Sequence, residues 1–297
     1  MIRNDALIAN IRAQLTSSEA FRGLLARLER DRIDVTGASV EARALVLAAL
    51  HETVGRRLAI VIPGDASIAD FQNALQLFID DPRCVTSYPS PALSPYQDVG
   101  PSLGVTREEI RALGLLIDRA ADVLIIPVRA LFARLPRADE FRSRLIALAQ
   151  GQDLDVRQLL QTLVENGFVR TDLVGESGEF AFRGGILDLF PPNTTHPVRV
   201  ELFGDTVESL RWFDVETQRS EEPSGAVTVF PMTQFPITTA TRSALARRLS
   251  LDFQDPLYKH DLSEKIDRLN EQGTFPGIEH YLPLAADAAP FADYLAE

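Results

Sequence analysis

The chain has 297 residues, of which 45% are hydrophobic and 24% charged, an ordinary globular composition with room for two or three compact units. Its formal net charge of −12 argues against a protein that grips nucleic acid over a broad basic surface. A small basic patch on this acidic body would suit an acidic protein partner. Cys84 is the only cysteine, which excludes an internal disulfide and predicts a reducing, cytoplasmic location without membrane spans.

The first 134 residues alternate helical segments with short apolar strands. Residues 1–31 predict two helices, and "VEARALVLAALHETVG" predicts a third that ends at Gly55. Further helices are predicted at 67–81 and at 106–120, the latter capped by Thr106. Apolar strands are predicted at 56–65, 83–90 and 121–132. Continuous apolar strands separated by helices indicate a parallel α/β sheet.

The pattern changes after about residue 135. One helix, "DVRQLLQTLVENG", is followed by strand-like segments joined by short turns, which predicts an α+β unit with an antiparallel meander. From residue 232 the chain is again helical and includes a strand-like run, "GIEHYLPL". It ends at Glu297 with no obvious closing element, so we expect the last segment to be cut inside a domain.

The segment "HPVRVELFGD", residues 196–205, has two different faces if it is a strand. Val198, Val200 and Leu202 would share one aliphatic face, because side chains two apart lie on the same side of a strand. Arg199 and Phe203 would share the other face. This mixed face is explained either by a domain seam, with Arg199 lying over a buried Phe203, or by a protein interface, where arginine and aromatic residues are enriched.

A second candidate, "EFAFRGGILDLF", contains a glycine pair between two strands. Paired glycines supply the positive φ that a tight hairpin turn requires. Phe180 and Phe182 would share one face, and Ala181 and Arg183 the other. An arginine at a strand end is most often simply solvated, so Arg183 by itself does not identify a site.

The segment "DVTGASVEA", residues 34–42, lies where a phosphate-binding loop would precede a helix. A functional loop of this type needs Gly-Lys-Ser/Thr, whose lysine and hydroxyl bind phosphate and magnesium. Here Gly37 remains, but Val40 replaces the lysine and Glu41 replaces the hydroxyl residue. A carboxylate would repel phosphate, so the sequence predicts a degenerate nucleotide site and no cofactor.

Catalytic and metal-binding candidates are poor. The four histidines, at 51, 196, 260 and 280, show no metal-ligand spacing, and no nucleophile–histidine–acid set stands out. Neither a catalytic site nor a metal site is predicted.

The run from 178 to 220 closely resembles the module shared by two families of bacterial repair proteins, UvrB and the transcription-repair coupling factor Mfd. The matching residues are Gly178-Glu179-Phe180, Arg183-Gly184, Asp188 to Pro191, Arg199, Phe203, Asp205, Phe213-Asp214 and Gln218 to Ser220. "SPYQDVG" at 94–100 and "GTFPGIEHYLPL" at 273–284 are similar to further landmarks. UvrB keeps a functional ATP site, so Val40 and Glu41 favour the Mfd family.

The resemblance implies the N-terminal part of a coupling factor with three domains. These are a degenerate helicase-like, P-loop-derived parallel α/β domain (1–134), an inserted α+β adaptor of UvrB type (135–231) and the start of a domain packing back on the first (232–297). It implies recruitment of the UvrA protein by Arg183, Arg199 and Phe203, without ATP hydrolysis by this part. The parent protein would be an ATP-dependent translocase that contacts RNA polymerase and DNA through downstream domains.

Three points qualify what this resemblance implies. Phe182 and Gly185 occupy positions where other residues are common in the family, and Glu201 could hold Arg199 in an internal ion pair. The alternative function is a UvrB-like, ATP-dependent subunit that binds damaged DNA. We expect the chain to be a monomer.

Overall fold

The computed structural model describes residues 5–28, 32–34, 36–90, 100–252 and 259–296. Of the landmark at 94–100, only Gly100 falls within these residues. The chain divides into two compact units, one formed by Met1–Ser90 with Leu115–Phe132 and the other by Pro91–Gly114 with Ala133–Glu297. The fold is a mixed α/β one that contains both parallel and antiparallel sheets.

The first unit is built on a small parallel sheet. Its helices are α1 (Asp5–Ser17), α2 (Glu19–Arg27), α3 (Val40–Val54) and α4 (Ile68–Phe78), and its strands are β1 (Leu58–Ile62), β2 (Val85–Ser87) and β3 (Val123–Pro127). The strand order is β1-β3-β2 and all pairs are parallel, which confirms the predicted parallel α/β sheet. Ala44 and Ala48 of α3 and Leu75 of α4 pack on Val123 and Ile125 of the central strand.

Helix α3 begins and ends with the signals visible in its sequence. The hydroxyl of Ser39 accepts a hydrogen bond from the backbone N–H of Ala42, and Gly55 closes the helix in the left-handed conformation. Helix α5 (Leu103–Ile117) starts earlier than predicted. Thr106 lies inside its first turn and donates its N–H to the carbonyl of Ser102, so the predicted cap at Thr106 was wrong.

The second unit contains a six-stranded sheet. After β4 (Arg134–Pro136), α6 (Ala138–Ser143), β5 (Ile146–Ala149) and α7 (Val156–Glu165), the strands are β6 (Val169–Arg170), β7 (Glu179–Arg183), β8 (Ile186–Leu189), β9 (Val198–Phe203), β10 (Thr206–Phe213), β11 (Ser220–Pro223) and β12 (Ala226–Val229). The sheet order is β11-β10-β9-β8-β7-β6, antiparallel except for the β6–β7 pair, while β12 pairs with β5. The predicted meander is therefore confirmed.

One face of this sheet forms an apolar core with α7. Leu159 and Leu163 of the helix pack with Phe180, Leu187 and Val200 of the strands. Because side chains alternate along each strand, this packing leaves the remaining side chains of β7 to β10 on the opposite face. We call that opposite side the outer face.

The last part of the second unit is mainly helical, as predicted, with α8 (Thr239–Asp252), α9 (Lys259–Gln272), β13 (Ala288–Pro290) and α10 (Phe291–Ala296). The strand predicted for "GIEHYLPL" was wrong, because this run forms two single-turn 3₁₀ helices, Ile278–His280 and Leu282–Leu284. Their side chains pack against α8 and α9. An apolar run that is buried on several sides cannot be distinguished from a strand by its hydrophobicity alone.

No helix in the part of the chain that the structure describes is long and apolar enough to cross a membrane. The division into domains at residues 134 and 231 stays a prediction. Separate apolar clusters lie in the first unit, beneath the six-stranded sheet and around α8 and α9.

Candidate protein-interaction site

Strand β9 has the two faces that its sequence predicts. Val198 and Val200 are fully buried, Arg199 and Glu201 are half-buried, and the side chain of Phe203 is 81% exposed. The domain-seam explanation required Phe203 to be buried within the chain. The exposure of its ring contradicts that explanation.

Two tight turns lie at the same end of the outer face. Gly184 and Gly185 join β7 to β8 with φ values of 58° and 84°, and Gly204 begins the β9–β10 turn with φ of 64°. The N–H of Leu202 donates to the carbonyl of Gly185 at 2.8 Å, which joins the two hairpins at this end. A Cβ at Gly185 would lie 3.1 Å from the Leu202 carbonyl, so glycine fits this close approach.

Arg183, Ile186 and Phe203 project from the outer face beside these turns. Arg183 pairs with Ile186 across the first hairpin, and Ile186 pairs with Glu201, two residues before Phe203. Adjacent strands are about 4.8 Å apart, so the three residues occupy one continuous patch. We call Arg183, Ile186 and Phe203 the hairpin-tip surface.

The hairpin-tip surface combines a free cation with exposed apolar area. Arg183 is exposed, and its side chain forms no hydrogen bond or ion pair with any residue that the structure describes. Ile186 is 39% exposed, which is high for an isoleucine within a sheet. A cation beside apolar side chains is the composition typical of a protein-binding surface rather than of a solvated strand.

Arg199 is held very differently from Arg183. Its Nε and Nη2 donate to the two carboxylate oxygens of Asp188 at 2.7 and 2.8 Å, and Nη1 donates to the carbonyl of Gln218 at 3.1 Å. Its side chain is only 18% exposed. The hydrogen bonds to Asp188 raise the pKa of Arg199, so its guanidinium is charged at every practical pH.

The partner predicted for Arg199 was wrong. Glu201 lies two residues away on the same face, but its carboxylate accepts a hydrogen bond from Ser209 at 2.7 Å. Asp188 is directly opposite Arg199 in the β8–β9 register, where a planar guanidinium can meet a carboxylate with two parallel bonds. The strand pairing, which the local sequence does not show, decides the ion pair.

Arg199 covers the ring of Phe213, not the ring of Phe203 that the domain-seam explanation required. The guanidinium carbon lies 4.8 Å from the ring centre of Phe213, which is buried with Val174 and Ala181. Phe203 stands free of this contact. Arg199 therefore closes a small apolar cluster on the outer face, with its charge over an aromatic ring.

Two residues of this site were missed in the sequence. Asp188 belongs to the motif that carries the resemblance, but no function was predicted for it. Ile186 was predicted to lie in a strand, but the face of the strand on which it lies was not predicted. The Gly-Gly turn contained the signal, since a two-residue hairpin loop pairs Arg183 with Ile186 and places Ala181 opposite Asp188.

The segment predicted to be a degenerate nucleotide site forms an ordinary start of helix α3. Gly37 has a φ of 74°, and the Ser39 hydroxyl donates to the carboxylate of Glu41 at 2.8 Å. Hydrogen bonding, first from its own backbone and then from Ser39, lowers the pKa of Glu41, which therefore carries its charge at the N-terminus of α3. Val40 packs on the core of the first unit.

The first unit also assembles residues that are far apart in the sequence. A ring nitrogen of His51, the sulfur of Cys84 and a carboxylate oxygen of Asp122 all lie within 4.8 Å of one another. Spacing along the chain gave no sign of this cluster, because its members come from three separate elements.

One protein family matches part of the second unit. Residues 146–235 match the UvrB interaction domain family, and this segment contains every residue of the hairpin-tip surface and the Arg199–Asp188 pair.

Most of the chain is also similar to curated transcription-repair-coupling factors. It is 27% identical to the protein of Bacillus subtilis over 92% of this chain, 32% identical to that of Myxococcus xanthus over 85%, and 30% identical to that of Staphylococcus aureus strain USA300 over 78%. The alignments cover 24%, 22% and 20% of those relatives, so the chain spans about a fifth to a quarter of their length.

Proposed function

Because residues 146–235 match the UvrB interaction domain family and most of the chain is similar to transcription-repair-coupling factors, we propose that this chain recruits UvrA in transcription-coupled DNA repair. It does so by presenting the surface that UvrB presents. The hairpin-tip surface is the contact region, and the unit acts as a monomeric adaptor without catalysis of its own.

The observation that carries this proposal is the exposure of Phe203 beside a free Arg183. Burial of a phenylalanine side chain at an interface contributes about 2 kcal/mol, and Ile186 adds a smaller apolar contact. An arginine without an internal partner can form a bidentate pair with a carboxylate of the partner at no internal cost. The surface therefore suits a partner patch with an apolar pocket beside an acidic residue.

Arg199 supports this surface in a different way. Four of its hydrogen bonds go to Asp188, Gln218 and Ser220, so little of its donor capacity is left for a partner. We assign it mainly to holding β8, β9 and the segment before β11 in their arrangement. The exposed edge of its guanidinium adds positive charge next to the docking region.

The first unit is proposed to be a degenerate helicase-like domain that no longer binds a triphosphate. Val40 packs against the core and cannot provide the missing lysine charge, and Glu41 places a negative charge at the helix N-terminus where phosphate would bind. Contacts with RNA polymerase and DNA, and ATP-driven translocation, would belong to the whole protein.

A pull-down with purified UvrA tests the docking surface. We expect Phe203→Ala and Arg183→Ala each to weaken binding by about tenfold or more, since one such contact is worth about 1.4 kcal/mol or more. Two matched controls should bind like the wild type. Phe132→Ala removes a ring that is 82% exposed in the other unit, and Arg157→Ala removes an exposed arginine of α7.

Full retention of UvrA binding by both Phe203→Ala and Arg183→Ala would refute the site.

A separate calorimetric titration with ATP tests the proposal that the first unit does not bind nucleotide. No heat of binding is expected. Measurable ATP affinity that is lost in Gly37→Val would instead favour the UvrB-like, ATP-dependent alternative.

A further inference from the structure

We propose that His51, Cys84 and Asp122 bind a Zn²⁺ ion in the first unit. The three side chains supply nitrogen, sulfur and oxygen, the donor set that zinc prefers, and their ligand atoms already lie within 4.8 Å of one another. A tetrahedral zinc site has ligand atoms about 3.3–3.8 Å apart, so side-chain adjustments of roughly 1 Å would close it. Water would complete the fourth position.

The backbone of the parallel sheet positions two of the ligands. Cys84 and Asp122 immediately precede Val85 and Val123, which pair in the β2–β3 register. The N–H of Asp122 donates to the carbonyl of Cys84 at 3.0 Å, so the two residues are locked side by side at the amino end of the sheet. Their side chains are therefore neighbours because of sheet pairing, although 38 positions separate them in the sequence.

A second contact holds the ring of His51 in place. Its Nδ1 lies 3.1 Å from the carbonyl of Arg56, just after the end of α3. With the proton on Nδ1 donated to this carbonyl, Nε2 is left with a lone pair for a metal. A histidine ligand in a zinc site is commonly oriented by this type of hydrogen bond to a backbone carbonyl.

The surroundings of Cys84 carry negative charge. The carboxylates of Asp122, Asp81 and Glu52 all act on its sulfur electrostatically. A divalent cation held between Cys84 and Asp122 would neutralise part of this charge.

The zinc position is separate from the degenerate nucleotide site. His51 lies near the C-terminal end of α3, whereas Val40 and Glu41 begin the same helix, roughly 17 Å away along its axis. The ion would link the end of α3, the start of β2 and the start of β3. We therefore assign it a structural role in the first unit.

The test is metal titration of the chain after removal of bound metal with a chelator. Zn²⁺ should bind with one-to-one stoichiometry and raise the melting temperature, because it binds the folded state preferentially. Co²⁺ should show a thiolate-to-metal charge-transfer band, which can come only from Cys84 in this chain. We expect Cys84→Ser to abolish the band, and Cys84→Ser, His51→Gln and Asp122→Asn each to weaken Zn²⁺ binding by about a hundredfold.

The matched control is His260→Gln, which removes an exposed histidine of α9 and should bind Zn²⁺ like the wild type. If the variants fail to fold, the Co²⁺ spectrum of the wild-type chain decides the question by itself. A wild-type chain that gives no charge-transfer band, or Zn²⁺ affinity unchanged by Cys84→Ser, would overturn the proposal.

Discussion

Arg199 on β9 and Asp188 on β8 stand directly opposite each other and are joined by two parallel hydrogen bonds of 2.7 and 2.8 Å. The Asp188 side chain is only 7% exposed, and the guanidinium of Arg199 covers the buried ring of Phe213. This ion pair is thus part of the sheet that carries the hairpin-tip surface. Arg199 differs in this respect from Arg183, whose side chain has no such partner among the residues that the structure describes.

Removal of one member of this pair should destabilise the fold strongly. We expect Arg199→Ala to lower the free energy of unfolding by about 3 kcal/mol, because Asp188 is then a buried carboxylate without a partner. Asp188→Leu combined with Arg199→Met should cost much less than the sum of the two single changes. Urea denaturation of the wild type, the two single variants Asp188→Leu and Arg199→Met, and the double variant measures the coupling free energy. Additive effects of the two single changes would contradict a mutually dependent pair.

Phe203 and Phe213 should differ sharply in their effect on stability. Phe203→Ala removes an exposed ring and should change the free energy of unfolding by less than about 0.5 kcal/mol. Phe213→Ala empties a buried site beneath Arg199 and should cost about 3–5 kcal/mol. Thermal or urea unfolding of the two variants compares them, and a large loss for Phe203→Ala would show that its ring has a role in packing.

Two helical glycines should respond in opposite ways to alanine. A Cβ at Gly114 in α5 would clash with the ring of Phe230, so Gly114→Ala should destabilise the protein by about 1–3 kcal/mol. Gly23 in α2 has open space around its Cα, and Gly23→Ala should stabilise by about 0.5–1 kcal/mol. Melting temperatures of both variants check the prediction; equal shifts would contradict it.

Glu109 should make stability depend on pH. Burial in α5 raises its pKa to about 7, although the Gln234 amide donates a hydrogen bond of 2.9 Å to its carboxylate. The folded state therefore holds the proton more tightly than the unfolded state, in which the pKa is near 4.5. The contribution of Glu109 is then most favourable below pH 4.5 and is lost as the pH rises to about 7.

Across this range the loss attributable to Glu109 is about 3 kcal/mol. The variant Glu109→Gln keeps an acceptor for Gln234 and removes the titration. Its stability relative to the wild type should therefore increase between pH 5 and pH 7.5, as measured by urea denaturation at several pH values. A constant difference across that range would show that Glu109 stays ionised in the folded protein.

Much of the fold follows from local patterns. The alternation in β9 places Val198 and Val200 in the core, and Ser39 and Gly55 mark the ends of α3, because these features depend only on near neighbours. The predicted strand at 277–284 and the predicted cap at Thr106 were wrong, because these features depend on packing as well as on near neighbours. A short apolar run can form either a strand or a buried helical turn, and a hydroxyl residue can lie at a helix cap or inside the first turn. The local sequence does not distinguish these cases when the packing is unknown.

The candidate site was predicted only in part. The sequence by itself determined that Arg199 and Phe203 share one face of β9, because side chains in a strand alternate with a period of two. That Arg183 lies on the same face of the sheet follows from the pairing of β7, β8 and β9. Only the tertiary structure decided that Asp188 rather than Glu201 holds Arg199, and that His51, Cys84 and Asp122 meet. These contacts depend on which strands pair and in what register, and pairing between distant segments is set by the packing of the whole domain rather than by local sequence.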